Sequence, residues 1–249
     1  MNKYKVLLLA ALAPVLLGLL IPLARQLVGT SPFISYRADV RRTPLRLYWK
    51  DEHGQRFRSL EGLKSWLGAR GQKLVFAMNA GMFNPQYAPQ GLFIEAGETI
   101  MPLDTAAGAG NFYLKPNGVF YLTTDSAAHI CPSADFRPSP RVAYATQSGP
   151  MLVVDGQLHP AFRAGSANRQ IRNGVGLLPD GRVLLAMSRR KINFYDFAEY
   201  FRQAGCRQAL YLDGFVSRSY EHGARQTQTD GDFGVIIGVT EATVRPVRQ

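Results

Sequence analysis

Apolar residues follow two regimes along this chain. Val6 to Ala24 is an uninterrupted uncharged run, preceded by Lys3 and Lys5 and closed by Arg25, whereas from Phe33 onward apolar residues come in short runs broken by Gly, Pro, Asn and Asp. As a helix the first run would span roughly 28 Å, close to the hydrocarbon thickness of a bilayer. Pro14 and Pro22 argue against an interior helix of a globular domain. Pro22 fits poorly as the third residue before a cleavage after Ala24, and cleavage at Ala11-Leu-Ala13 leaves too short an apolar stretch. The pattern predicts a signal-anchor or signal peptide over residues 1–25, with the uncleaved anchor favoured, and a linker over 26–32. Arg25, Arg37, Arg41 and Arg42 compete with the two lysines, so charge bias does not orient the segment. Export of the remainder is expected, to the periplasm or another extracytoplasmic space, with the membrane a partner through residues 6–24 if the segment is retained.

Residues 33–249 read as one domain dominated by β-strands. ISYRADV, LRLYW, KLVFAMN, GLFIEAG, RVAYAT, MLVVDGQLH, ALYLDG and FGVIIGVT alternate or run apolar in the manner of strands. Two hairpins have turn chemistry: Lys115-Pro-Asn-Gly118 between NFYL and VFYL, and Pro179-Asp-Gly181 between GVGLL and RVLLA. Helical spacing of Leu60, Leu63 and Leu67 after Ser59, with Gly71 beyond, predicts one helix. A second is predicted over Phe194 to Ala204, capped by Asn193 with Asp196 in its first turn and ended by Gly205. The expected class is α+β, with a large mixed β-sheet core and two or three helices.

Composition adds a charge problem. Net charge is +11, from 29 Lys and Arg against 18 Asp and Glu, and only seven of the basic residues are Lys. Such an excess suits nucleic acid, a membrane surface or anionic substrates. The arginines are dispersed, and no helix-turn-helix, zinc-finger or RNP-like string is present, so nucleic acid is set aside as a partner. Two cysteines and four histidines without clustered spacing give no metal or haem pattern, and neither a metal nor a cofactor is expected. Cys131 and Cys206 are compatible with a disulfide or with two thiols. His53, His129, His159 and His222 read as surface residues, Asp196 as a helix-start residue, and Glu95 as a weak second carboxylate.

Four strand ends carry the unusual polar residues. Asn79-Ala-Gly81-Met-Phe83 follows a buried strand, Gln147-Ser148-Gly149-Pro150 separates two strands, Arg172 precedes the apolar stretch reaching Gly176, and Asp213 closes LYLD. Each has a bland reading: a tight turn at Gly81, a turn serine without a GxSxG frame at Ser148, a solvated charge at Arg172. Asp213 is the least easily dismissed, because a carboxylate ending an apolar strand must be hydrogen-bonded, paired or functional.

Taken together, NAGMF, PQG, QSGPML, RNGVG, NFYDFA and LYLDGFVS resemble, in order and spacing from about Val75 to Val239, the phosphodiester glycosidase family. One member, the uncovering enzyme, removes N-acetylglucosamine from a mannose 6-phosphate diester, and the similarity is greatest to bacterial exported proteins. The resemblance implies Asp213, Arg172 and Asn79 as catalytic residues and Gly81, Phe83, Ser148, Gly149, Gly176, Gly214 and Ser217 as substrate-binding positions. Asn173 and Gly174 stand where threonine and alanine are usual. Phe215 and Val216 replace glycines of the aspartate loop, and their bulk is expected to narrow or reshape the pocket.

On this resemblance Arg172 would hold the phosphate leaving group with its guanidinium fork. Asp213 would act as general base or as electrostatic partner of an oxocarbenium-like state, and Asn79 and Ser148 would orient sugar hydroxyls or phosphate oxygens. The expected activity is an exported hydrolase cleaving a sugar-1-phosphodiester or a related envelope glycan. The alternative is a non-catalytic envelope protein binding anionic polysaccharide.

Overall fold

A computed structural model describes residues 31–225 and 227–243. The expected anchor, most of the linker and the last six residues lie outside these. Among the described residues, fifteen strands form three sheets, all of their pairings antiparallel. The first sheet has the order β1 (Phe33–Ala38), β12 (Val183–Ser188), β11 (Asn173–Leu177), β13 (Gln208–Tyr211), β9 (Met151–Val154), β10 (Gln157–Leu158). The second is β14 (Ser219–Glu221), β3 (Gln72–Asn79), β15 (Ile236–Ala242), β2 (Leu45–Tyr48). The third is β5 (Glu98–Met101), β4 (Phe93–Glu95), β8 (Val142–Ser148), β6 (Gly118–Thr123), β7 (Ala128–Pro132). The expectation of a mixed sheet is therefore corrected. Four of the twelve pairings join consecutive strands through short turns, β4–β5, β6–β7, β9–β10 and β11–β12, and the other eight, between strands farther apart along the chain, are antiparallel too.

The three sheets share one core. Leu47, Phe76 and Met78 from the second sheet meet Phe93, Phe120 and Leu122 from the third and Val175, Leu185 and Leu210 from the first. Among the described residues two ten-residue helices cover outer faces: α1 (Leu60–Ala69) and α2 (Phe194–Gln203). Both begin where the sequence predicts, because Ser59 Oγ accepts from the Gly62 amide at 3.1 Å and Asn193 Oδ1 from the Asp196 amide at 2.8 Å. Leu60, Leu63 and Leu67 bury against Leu74, Ala77 and Ile236, while Phe197, Ala198 and Phe201 bury against Leu152, Leu184 and Ala209.

Of the two expected hairpins, Pro179-Asp-Gly181 does join β11 to β12, with Gly181 at φ 83. Lys115-Pro-Asn-Gly118 does not. Asn111–Tyr113 is a 3-10 turn, Lys115-Pro116 is a cis peptide, and β6 pairs instead with β7 and β8. The strands β5, β7 and β14, short and partly polar, carry no clear sequence signal.

This topology brings strand ends from all three sheets together. The Asp213 amide donates to Ala80 O at 3.0 Å, Leu212 to Asn173 O at 3.1 Å, Tyr211 to Pro150 O at 3.1 Å and Ala80 to Val235 O at 2.8 Å.

Candidate active site

Asp213 leaves β13 and opens a 3-10 turn, Gly214–Val216. Its carboxylate accepts from the Phe215 amide at 3.2 Å. Among the described residues no cation pairs with it, so burial dominates and pushes its pKa from 3.8 up to about 6, against the Phe215 hydrogen bond, which lowers it. Ser217 closes the turn, its amide donating to Gly214 O at 3.3 Å and its hydroxyl to the same oxygen at 2.9 Å.

Asn79, fully buried at the end of β3, holds this loop at both ends. Its Nδ2 donates to Asp213 O at 2.5 Å and its Oδ1 accepts from the Arg218 amide at 3.0 Å. Asn173 continues the chain of amides, donating through Nδ2 to Asn79 O at 2.7 Å. Asn79 thus spends its side chain chiefly on positioning backbone. Asn173 Oδ1 and Ser148 Oγ are buried without a hydrogen-bond partner among the described residues.

Arg172 is 1% exposed and heads the fully buried side chains by volume. Its Nε donates to Ile192 O at 2.8 Å, and its Nη2 to Asn168 O at 2.9 Å and Asn168 Oδ1 at 3.2 Å. The guanidinium carbon lies 3.5 Å from the centroid of the Phe194 ring and 5.6 Å from that of Tyr211, a stacking arrangement that arginine favours. Among the described residues no carboxylate forms an ion pair with it, and burial lowers its pKa. Tyr211 connects this cation to the aspartate loop. Its ring packs edge-on against Phe194 at 4.8 Å, and its hydroxyl sits where a side chain on Gly214 would have to go. Gly214 is therefore required by close approach, with Ile171 O also only 2.9 Å from such a Cβ.

The remaining expected positions divide. Gly81 abuts Thr146, Ser148 pairs with Gly118, and Gly149, preceding a cis Pro150, lies against Phe112 O. These residues join the loop after β3 to the end of β8. Gln147 anchors that end: its Oε1 accepts from the amides of Leu92 and Asp104, and its Nε2 donates to Asp104 O and Ser133 Oγ. Gly176 sits apart from the aspartate loop, mid-strand beneath α2, where a Cβ would stand 2.6 Å from Phe201 Cδ1 and 2.8 Å from Cys206 Sγ. Phe83 stacks on Tyr87 at 5.2 Å and packs with the α1 layer, against which Val216 of the aspartate loop also packs.

A cavity of about 360 Å³ adjoins the loop, lined by Ile171, Ser188, Ser217, Arg218, Ser219 and Gln228 among others. Its size suits a small ligand. Ser188 Oγ accepts from the Arg172 amide at 3.0 Å, so the cavity wall and the buried cation share backbone. A groove of about 410 Å³ lined by Arg41, Arg42, Arg46 and Tyr144 lies at the other end of β8 and holds none of the expected site residues. Glu95, its pKa raised by burial to about 7, also lies on the side of β8 away from Ser148, beyond the Ile94–Ala145 pair.

Several expectations need revision. His53, His129 and His222 are exposed, but His159 is buried. Its Nδ1 accepts from the Ala161 amide at 3.1 Å, which leaves the proton on Nε2 for Lys115 O at 3.0 Å. His159 stacks on Phe162, which stacks on Phe194, so it ends an aromatic row leading to Arg172. Cys131 and Cys206 are free thiols in separate clusters, with burial pushing their pKa values to about 11 and about 12. Phe215, 94% exposed, lines neither of these two cavities, so the expected narrowing is not seen in them. Sequence reasoning missed Tyr211, Phe194 and Asn168. LYLD and NFYDFA contained the first two, but as apolar strand and helix residues. Among the described residues no three His, Cys, Asp or Glu side chains converge as a metal set.

Residues 72–242 match the family described as phosphodiester glycosidase. The chain belongs to that family. Over 190 residues it is 36% identical to the uncharacterized protein YigE of Escherichia coli K12, covering 76% of this chain and 74% of that one. Among solved structures, the phosphodiester glycosidase fold is similar to the catalytic domain of zebrafish N-acetylglucosamine-1-phosphodiester alpha-N-acetylglucosaminidase, auto-inhibited by its pro-peptide. That match has a TM-score of 0.56 at 11% identity, over 85% of this chain and 84% of the other. A hypothetical protein from Synechocystis matches with a TM-score of 0.53 at 14% identity, over 86% of this chain and 60% of its own.

Proposed function

We propose that this protein hydrolyses a sugar-1-phosphodiester, or a related envelope glycan linkage, outside the cytoplasm. Arg172 carries the reading: the bulkiest fully buried side chain is a cation for which no described carboxylate provides a counter-charge. Burying an unpaired charge is costly. A phosphate group arriving at this end of the sheets brings an anion toward this cation, which, 1% exposed and with Nε and Nη2 already bonded, acts on the leaving phosphate as a fixed positive charge through the protein interior rather than as a free fork. Because its Nε and Nη2 are held by backbone carbonyls and Asn168, the cation is fixed in place before substrate arrives.

Asp213 supplies the second element. With its pKa near 6 it is mostly ionised at neutral pH, fit to take a proton from attacking water or to face an oxocarbenium-like carbon. Asn79 fixes the backbone that carries it. Ser188, Ser217 and Ser219 line the adjoining cavity with hydroxyls suited to sugar or phosphate oxygens. Family membership supports the glycosidase class, and the uncharged run over residues 6–24 supports export with a membrane anchor.

The test is hydrolysis by the full-length protein of a panel of hexose-1-phosphodiesters, read as released phosphomonoester and reducing sugar. Turnover is expected to rise as pH passes through about 6, where the Asp213 carboxyl ionises, and to disappear in Asp213→Asn. No turnover on any diester between pH 5 and 9, together with retained binding of an anionic polysaccharide, would replace this reading by the non-catalytic one.

A further inference from the structure

Phe215 is the exposed large apolar side chain of the described surface. It does not belong to an apolar patch of the size that a protein or lipid partner covers, since a stable interface takes about 800 Å² per partner and one aromatic ring offers roughly 150–250 Å² at most. A single ring suits a ligand the size of a single ring.

Its orientation follows from its turn. In a 3-10 turn successive side chains point about 120° apart. Val216 goes inward against the α1 layer, the Tyr211 hydroxyl occupies the space a side chain at 214 would need, and Phe215 is left to face out. The backbone that carries it is pinned at four points: the Phe215 amide to Asp213 Oδ1, Ser217 to Gly214 O, Asp213 O to Asn79 Nδ2, and the Arg218 amide to Asn79 Oδ1. A solvent-facing aromatic on a fixed turn, hydrogen-bonded through its own amide to the candidate catalytic carboxylate, has the makings of a recognition element. The C–H face of a pyranose is flat and weakly positive, complementary to the negative face of an aromatic ring.

We infer that Phe215 is the platform on which the pyranose ring of the substrate stacks beside Asp213. This rests on the glycosidase reading above and deepens it, because it assigns the sugar-ring contact to a named residue of the aspartate loop. The ring contributes face-on contact only, so it selects for a cyclic sugar and leaves the phosphate to Arg172.

Saturation-transfer NMR and titration on the full-length protein test this with three probes: glucose 1-phosphate, N-acetylglucosamine 1-phosphate and glycerol 3-phosphate. Wild type is expected to transfer saturation most strongly to the pyranose ring C–H protons. Phe215→Ala should weaken both hexose phosphates by roughly 3- to 10-fold while leaving glycerol 3-phosphate unchanged, and Phe215→Trp should restore hexose binding. Equal hexose affinity in Phe215→Ala overturns the inference, as does an equal loss for glycerol 3-phosphate or the absence of a ring-proton signal from either hexose. The two readings separate in Asp213→Asn and in the turnover assay. Phe215-dependent hexose binding without hydrolysis keeps the platform and removes the hydrolase, whereas hydrolysis indifferent to Phe215 does the reverse.

Discussion

Replacing Asp213 by asparagine removes a charge from a largely buried carboxyl and keeps an oxygen to accept from the Phe215 amide. In the folded chain the carboxyl titrates near 6 rather than 3.8. A group whose folded value lies above its unfolded one favours folding while protonated, so its ionisation costs stability as pH climbs from about 4 to about 6. The difference between the two values corresponds to roughly 3 kcal/mol. This is an upper bound because solvent reaches part of the group. Asp213→Asn should therefore unfold about 1–3 kcal/mol less readily than wild type at pH 8, a rise in Tm of about 3–9 °C for a chain of this size. Near pH 4, where the folded aspartate is already neutral, the two proteins should differ little. Thermal and urea unfolding of both at pH 4 and pH 8 measures the gap directly, other titrating groups cancelling in the comparison. A variant no more stable than wild type at pH 8, or a gap that does not close in acid, would show that the carboxylate is not held at a cost to the fold. The same variant is expected to lose turnover, so stability and activity should move in opposite directions.

Two further substitutions separate positioning from packing. Asn79→Ala removes both clamps on the aspartate loop and leaves backbone groups unpaired, which should cost about 2–4 kcal/mol in urea unfolding and, by loosening and wetting the loop, lower the midpoint of the pH–rate profile from about 6 toward the ordinary carboxylate range; an unchanged midpoint would refute the positioning role. Gly176→Ala drives a methyl toward Phe201 and Cys206 Sγ and should cost about 1–3 kcal/mol while leaving that midpoint where it is, which a pH–rate profile on the folded variant checks.

Local chemistry was legible in the sequence to the extent that it acted over a few residues. Ser59 and Asn193 cap helices at the expected places, and Pro179-Asp-Gly181 turns a hairpin. Lys115-Pro-Asn-Gly118 has equally good turn residues but forms no hairpin, because both edges of Gly118–Thr123 are taken, one by β7 just after it and the other by β8, which begins at Val142. Sheet direction was lost for the same reason: strand composition does not record which neighbour a strand will find. At the site, the polar strand ends stood out because Asp213, Arg172 and Asn79 conflict with the apolar stretches beside them. Arg172 left open a solvated charge or a ligand fork, and only tertiary contact shows it buried over Phe194. Tyr211 and Phe194 were hidden in plain apolar patterns, where an aromatic serving a cation looks like any core residue. For Phe215 the sequence shows bulk but not direction, which the 3-10 turn sets by sending the ring outward.

The loop from Asp213 to Arg218 is also a passage between layers. It leaves β13 in the six-stranded sheet and enters β14 in the four-stranded one, while Asn79 from the latter grips both of its ends. A ligand seated on this loop would act as a rivet through two sheets whose backbone ladders are otherwise separate. Hydrogen exchange in β13 and β14 should then slow together on ligand binding, tying occupancy of a small surface site to the cohesion of the whole β-framework.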